Sequence, residues 1–265
     1  MKKHKGIIKM KDPIKIAVSG TYSTGKSTTT EALSLITGIP RTHALTSREI
    51  LMDLIPGKRV EELSAGELIA LGLRRLEERI HHEAAEPGSF ISDGSVIHEW
   101  VYGEARMQAG INPSANILHR FLNELVGLPI KPFYKAYMSA YGKVVKSRAK
   151  RVYDVYIHLP VEFEFVADDH RPVSEPFREL SDKILIDTLK EMKIPYHVVG
   201  GTVLDRVEKI VEILDLPVKM DMKEAIKIAE QRVQEGLDIL EKDARHHKNR
   251  LETSKIQKLK YMFRY

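Results

Sequence analysis

The chain has 265 residues, 43% hydrophobic and 30% charged; this excludes a disordered or fibrous chain and, at about 150 residues per domain, implies one large domain or one domain with an appendage. It contains no cysteine, which removes disulfides, thiolate zinc sites, iron–sulfur clusters and cysteine nucleophiles. The net charge is +5, and no run reaches the roughly 18 apolar residues of a membrane span.

Residues 1–12 are basic without a continuous apolar core, so they do not read as a secretory signal, and the expected location is cytoplasmic. Residues 14–19 (IKIAVS) form a β-rich apolar run ending at Gly20, which predicts a buried strand. A helix is expected to begin near Lys26 and to stop at Gly38, Ile39 and Pro40. Residues 61–86 predict a long helix with Leu63, Leu68, Ile69, Leu73, Leu76 and Ile80 on one broad face. Pro87 and Gly88 end it, and residues 89–92 are a short strand that delivers Asp93 at its C-terminal end.

Helices are then expected over 96–107, 114–126 and 132–150, followed by a strand over 152–159 closed by Pro160. Residues 162–176 are polar; 177–192 predict a helix, 196–199 a strand ending at Gly200 and Gly201, and 203–214 a helix. Strands alternating with helices imply an α/β fold: a parallel sheet of about five strands, covered on both faces. After Pro217 the strand signals cease and 223–260 reads as wholly helical, so the expected organisation is a domain over 1–217 and a helical C-terminal extension over 218–265.

The strongest signal is Gly20-Thr21-Tyr22-Ser23-Thr24-Gly25-Lys26-Ser27, a full G-x-x-x-x-G-K-S (Walker A) pattern between a strand and a helix, with Thr28 next. Glycines let the backbone wrap a phosphate where a Cβ would obstruct it. The loop N–H groups and the helix N-terminus then offer partial positive charge to the phosphate oxygens. Lys26 is expected to reach the β- and γ-phosphates and the Ser27 hydroxyl to coordinate Mg²⁺, so the fold expected is that of a P-loop NTPase that binds ATP. Neither an N/T-K-x-D guanine-reading motif nor a D-x-x-G switch is present in the chain.

The order of loop, strand to Asp93, aromatic-rich helices, strand ending at Leu159-Pro160, arginine-bearing lid, helix and strand resembles the small-molecule kinases of the P-loop superfamily. Most closely it resembles the ATPase/kinase family related to the ribosylnicotinamide kinase domain of the bifunctional NAD-biosynthesis regulator. The residues that carry the resemblance are the loop itself, Ile39-Pro40-Arg41-Thr42-His43, Phe90-Ile91-Ser92-Asp93, Tyr153-Asp154 and Leu159-Pro160. Asp169-His170-Arg171, Arg178, and Tyr196, Val199 and Gly201 complete the set. The resemblance covers the chain to about Leu214 and implies phosphoryl transfer to a small, nucleoside-like acceptor. It departs at Gly94, where many such relatives carry arginine after the acid; Arg41 and Arg48 are the candidates to replace that charge.

Asp93, at a strand end facing the crevice, is expected to join the Mg²⁺ shell or to take a proton from the acceptor hydroxyl. The alternative is a helix N-cap. Arg171 and Arg178 are expected as lid cations that stabilise charge on the transferring phosphoryl group, against the alternative of surface pairs to Asp168, Asp169 or Glu175. Asp168 and Asp169 read as an acidic turn. Between residues 95 and 150 stand seven of the chain's 18 aromatic residues: Trp100, Tyr102, Phe121, Phe133, Tyr134, Tyr137 and Tyr141. They are expected either to cap a planar substrate or to pack between helices, with Glu99, Arg106 and Asn112 as polar neighbours. The adjacent pairs His81-His82 and His246-His247 face different directions on a helix, so no metal beyond the nucleotide's Mg²⁺ is expected.

From residue 245 onward seven Lys or Arg stand against Glu252 alone, a net +6 in 21 residues that leaves the rest at −1. This tail reads as a solvated or dimer-packing helix, as a surface for nucleic acid or an acidic membrane face, or as a cover over its own active site. The function expected is an ATP- and Mg²⁺-dependent small-molecule kinase; the alternative is a P-loop NTPase whose nucleotide state controls a protein or nucleic-acid partner.

Overall fold

β1 (Lys15–Ser19) is the central strand of an all-parallel sheet ordered β2-β3-β1-β4-β5, with β2 (Arg41–Thr42), β3 (Phe90–Asp93), β4 (Val155–His158) and β5 (Tyr196–Val198). The computed structural model describes residues 13–58, 63–109, 131–162 and 175–250. Alternation along the strands assigns side chains to the two faces. Ile16, Val18, Val155 and Ile157 face one core, which contains Leu33, Ile36, Val207 and Ile210. Ala17, Phe90 and Tyr156 face the other, with Ile97, Trp100, Met138, Leu185 and Leu189. Burial on both faces explains the near-continuous apolar runs seen in the sequence, and each fully buried Ile or Leu contributes about 1.5–3 kcal/mol.

Among the described residues the helices are α1 (Lys26–Thr37), α2 (Ser47–Leu54), α3 (Ala65–Ala85), α4 (His98–Ala109), α5 (Lys131–Val152), α6 (Glu175–Met192), α7 (Val203–Leu214) and α8 (Met222–Arg250). The expected α/β sheet of five strands is present, with ends shifted by a few residues. Two elements were not expected. β2 is only two residues long and follows a proline, so periodicity could not find it; it pairs Arg41 with Ile91 and Thr42 with Ser92. α2 opens with a reciprocal capping box, Glu49 N–H donating to Thr46 Oγ1 at 3.3 Å and Thr46 N–H to Glu49 Oε2 at 2.6 Å.

α3 begins at Ala65, later than the expected 61, because Ser64 and Glu67 form a second capping box at that point. The helix expected over 114–126 lies outside the described residues. α8 starts as part of the core: Ala225 and Ala229 are fully buried in the cluster that holds Leu33 and Ile36, and Lys219 N–H donates to Ile36 O at 2.6 Å. Farther along, Leu237 and Ile239 are exposed.

Candidate active site

The loop between β1 and α1 has the backbone that its glycines suggest. A Cβ on Gly20 (φ 149°) would lie 2.7 Å from both Leu159 O and Thr24 Oγ1. Gly25 (φ 79°) caps α1 in the left-handed region, where an L side chain is strained, and Ser23 shares that region at φ 58°. Thr24 Oγ1 donates to Thr21 O at 3.1 Å, and the Lys26 ammonium donates to the same carbonyl. The first N–H groups of α1 therefore open onto a concave turn suited to an anion.

Arg206 of α7, fully buried, supports this loop from behind. Its Nη1 donates to Thr24 O at 2.6 Å and its Nη2 lies 3.3 Å from Glu162 Oε2, which also accepts from Gly201 N–H at 2.8 Å. Sequence reasoning missed Arg206. The signal was available: it is a charged residue on the apolar face of α7, beside Val207 and one turn from Val203 and Ile210.

Parallel register sets Asp93 opposite Val18, two residues before the loop. Arg41 Nη2 donates to Asp93 Oδ2 at 2.6 Å, and Arg79 Nη1 donates to Asp93 O at 3.0 Å and Ser92 Oγ at 3.1 Å. Burial pushes the Asp93 carboxyl up, but the Arg41 and Lys26 charges and hydrogen bonds from Ser27 and Arg41 outweigh it and hold it below the usual aspartate value. Asp93 is therefore ionised and sits beside Lys26 and Ser27. Gly94, at φ 88°, accounts for the missing arginine: a Cβ there would sit 3.1 Å from Arg79 Nη2. Guanidinium groups from β2 and α3 surround the acid instead. The helix-cap alternative for Asp93 does not hold, because α4 begins only at His98.

His98 Nδ1 lies 2.9 Å from Ser95 N, 3.0 Å from Ser95 Oγ and 3.2 Å from Ser95 O, while its buried Nε2 has no partner among the described residues. Burial, with the charges of Lys26 and Arg79, pushes the His98 pKa well below 6.5, so the ring is neutral. Behind Ser92, Glu83 accepts from Ser92 Oγ (3.2 Å), Tyr153 Oη (2.5 Å) and Arg148 Nη2 (3.0 Å), which fixes the end of β3 to α3 and α5.

Next to the loop lies a cleft whose walls include Tyr22, Ser47, Glu99, Gly103, Arg106, Tyr134, Tyr137 and Tyr141. Arg75 holds Glu99 there, Nε to Oε1 at 2.6 Å, while its Nη1 donates to Leu45 O at 2.8 Å. The ring of Tyr22, a loop residue, stacks on Tyr102 at 4.4 Å between centroids. The aromatic cluster divides: Trp100, Tyr102 and Tyr141 are buried in the cores, Tyr134, Tyr137 and Tyr141 line the cleft, and Phe133 is 65% exposed. Phe121 and Asn112 lie outside the described residues.

The fold thus brings together Lys26, Ser27 and Asp93. Arg178 is fully buried in the first turn of α6 and its Nη1 lies 3.0 Å from Glu175 Oε1. Its neighbour Phe177 packs in the cluster of Tyr102 and Tyr22, so α6 touches both the loop and the cleft wall. Arg171, with Asp168 and Asp169, lies outside the described residues. Among the described residues no helix is long and apolar enough to cross a membrane.

The family model described as an AAA domain matches residues 15–206, from β1 to the arginine that holds the loop. No match was found among curated proteins. Similar solved structures include deoxyadenosine kinase from M. mycoides with bound dATP, at 16% identity and a TM-score of 0.47, covering 83% of this chain and 100% of that one. NadR protein in complex with NR is 14% identical with a TM-score of 0.48, over 78% of this chain and 52% of that one. Thymidylate kinase from Candida albicans is 15% identical with a TM-score of 0.48, over 77% and 92%.

Proposed function

Since the chain belongs to the AAA domain family, we propose that it is an ATP- and Mg²⁺-dependent kinase that moves the γ-phosphoryl group to a hydroxyl of a small, nucleoside-like molecule. The observation that carries this reading is the placement of one ionised carboxylate, Asp93, beside Lys26 and Ser27 at the end of the central strands, next to an aromatic cleft. A bare nucleotide-binding module has no need of that cleft.

The residues present fit a nucleotide-bound Mg²⁺. Ser27 lies beside the Asp93 carboxylate and helps keep it anionic, and a magnesium ion that takes most of its ligands from phosphate and water needs only such a pair. When bound, the ion would neutralise charge between the β- and γ-phosphates. The protein's own groups supply the rest. The loop N–H groups and Lys26 hold the phosphates. Tyr22 belongs both to the loop and to the cleft wall, so an acceptor held in the cleft would lie against the phosphate-binding loop. Asp93 accepts the hydrogen bond of the acceptor hydroxyl and takes its proton as the new P–O bond forms and the bond to the β-phosphate oxygen breaks. Arg178, buried in the first turn of α6, would offset charge on the equatorial oxygens of the transferring group, as would Arg171. In the cleft, the tyrosine rings suit a planar ring, and Glu99, fixed by Arg75, accepts from donor groups on its edge. Residues 1–217 would form the kinase unit and 218–265 its extension.

The test is incubation with ATP, Mg²⁺ and a pooled panel of nucleosides and small alcohols, with products read by mass spectrometry. One compound gaining one phosphoryl group, with the gain lost in Lys26→Ala, is the expected result. ATP consumed with no compound modified would overturn the kinase reading in favour of an NTPase.

A further inference from the structure

Arg41 uses all three corners of its guanidinium. Nε donates to Thr30 Oγ1 at 2.9 Å, Nη1 to Glu31 Oε2 at 3.2 Å and Nη2 to Asp93 Oδ2 at 2.6 Å. Thr30 and Glu31 lie on α1, one turn beyond Ser27, so the guanidinium is a strut between the helix that opens at Lys26 and the strand end that carries Asp93. Planarity makes this geometry rigid: a group anchored at two corners cannot turn its third without breaking a hydrogen bond. Glu31 is shared. Its other oxygen, Oε1, accepts from Arg232 Nη1 of α8 at 2.7 Å. The chain of charges thus runs from Arg232, whose side chain is 57% exposed, through Glu31 and Arg41 at 14% and 18%, to Asp93 at 11%. It spans 201 positions of sequence between Glu31 and Arg232.

We propose that Arg41 is the positioning residue for Asp93, and that α8, through Arg232 and Glu31, sets how firmly Arg41 holds it. The proposal rests on the kinase reading for its consequence, not for its geometry. An aspartate turns about two bonds, and proton acceptance needs the carboxylate held within a fraction of an ångström of one place. The third corner of Arg41 supplies that constraint, and the C-terminal helix becomes part of the active site's framework without touching it.

Four variants test this: Arg41→Met, Arg41→Lys, Arg232→Met and the Arg41→Met/Arg232→Met double. Arg232 is half-exposed, so its variant folds even if Arg41→Met is destabilised. The first readout is the ¹³Cγ resonance of Asp93 at fixed pH 7 without nucleotide. It is expected to move in Arg41→Met and to move less, in the same direction, in Arg232→Met. The second is Mg²⁺-dependent turnover of ATP. Arg41→Met should lower kcat about tenfold to a hundredfold while KM for ATP stays within about twofold, with part of the rate recovered in Arg41→Lys. Arg232→Met should lower kcat about two- to fivefold, the worth of an exposed ion pair, and the double variant should be no worse than Arg41→Met alone. An Asp93 resonance unmoved in Arg41→Met overturns the proposal. One moved there but not in Arg232→Met, or rate losses that add, removes α8 from it. Wild-type protein that consumes ATP but phosphorylates no acceptor would overturn the kinase reading alone, and the resonance would still decide the strut.

Discussion

The guanidinium of Arg206 donates to the carbonyl oxygen of Thr24 at 2.6 Å, so a residue 182 positions away holds the phosphate-binding loop by its backbone. Removing it leaves that buried carbonyl without its donor, a loss of about 1–3 kcal/mol. Arg206→Met is therefore expected to weaken ATP binding about tenfold to a hundredfold by titration calorimetry, if the loss falls on the loop's bound geometry. Arg206→Lys should restore little, because a single ammonium cannot serve Thr24 and Glu162 together. Unchanged affinity in Arg206→Met would show that the loop keeps its shape unaided.

Tyr22 and Tyr102 stack at 4.4 Å with rings 18° apart, and Phe177 packs in the same cluster. Such a pair contributes about 0.5–1.5 kcal/mol beyond burial. Tyr102→Ala should raise KM for the phosphoryl acceptor more than KM for ATP, whereas Tyr102→Phe, which keeps the stack, should leave both close to wild type. Equal rises in both constants would assign Tyr102 to general packing.

How much of this was legible in the sequence depends on the range of the interactions. The loop was readable because its function lies in the local backbone: Gly20 and Gly25 stand where a Cβ meets Leu159 O or strains the turn. Asp93 was readable as a strand end. Its partners were not, since Arg41 and Arg79 are brought to it by β2 and α3, 52 and 14 positions away. β2 is two residues long and carries no period, and α2 showed only in Thr46 and Glu49, a capping spacing that was overlooked. Arg206 shows in the sequence only as a charge on the apolar face of α7, and nothing local ties that position to Thr24, 182 positions away. The aromatic cluster gave its place but not its division between core and cleft, which depends on how α4 and α5 rotate against each other.

His98 is neutral in the folded protein because burial, Lys26 and Arg79 push its pKa well below the ordinary 6.5. The unfolded chain takes up that proton as pH falls through 6.5, and the folded chain does not, so stability decreases with acid in this window. His43, lowered by burial and by Arg41, acts with the same sign. Asp93 is lowered instead from 3.8, so its contribution stands above that value and is lost only below it. Urea melts between about pH 7 and pH 5 should show a shallower loss in His98→Gln than in wild type. Equal slopes would mean that His98 titrates normally.

Ser64 and Glu67 cap the helix that carries Arg75 and Arg79. Burial pushes the Glu67 carboxyl up, but hydrogen bonds from Lys58 and Ser64 together with the Lys58 charge outweigh it and pull it from 4.5 to about 2. Its contribution is present above 4.5 and fades as pH falls toward 2. Ser64→Ala is expected to cost about 1 kcal/mol and to lower Tm by roughly 2–4 °C, with faster amide exchange in the first turn of α3. Exchange unchanged there would remove the cap from the stability of the site.

The central claim is that Asp93, beside the loop, serves phosphoryl transfer beyond any part it has in holding the nucleotide's Mg²⁺. Its most direct test compares wild type, Lys26→Ala and Asp93→Asn for ATP affinity and for single-turnover transfer of labelled γ-phosphate to the acceptor found in the panel. Asp93→Asn, nearly isosteric, should bind ATP within about threefold of wild type and lose about a hundredfold or more of the transfer rate, while Lys26→Ala should lose both. Transfer by Asp93→Asn at the wild-type rate would contradict the account.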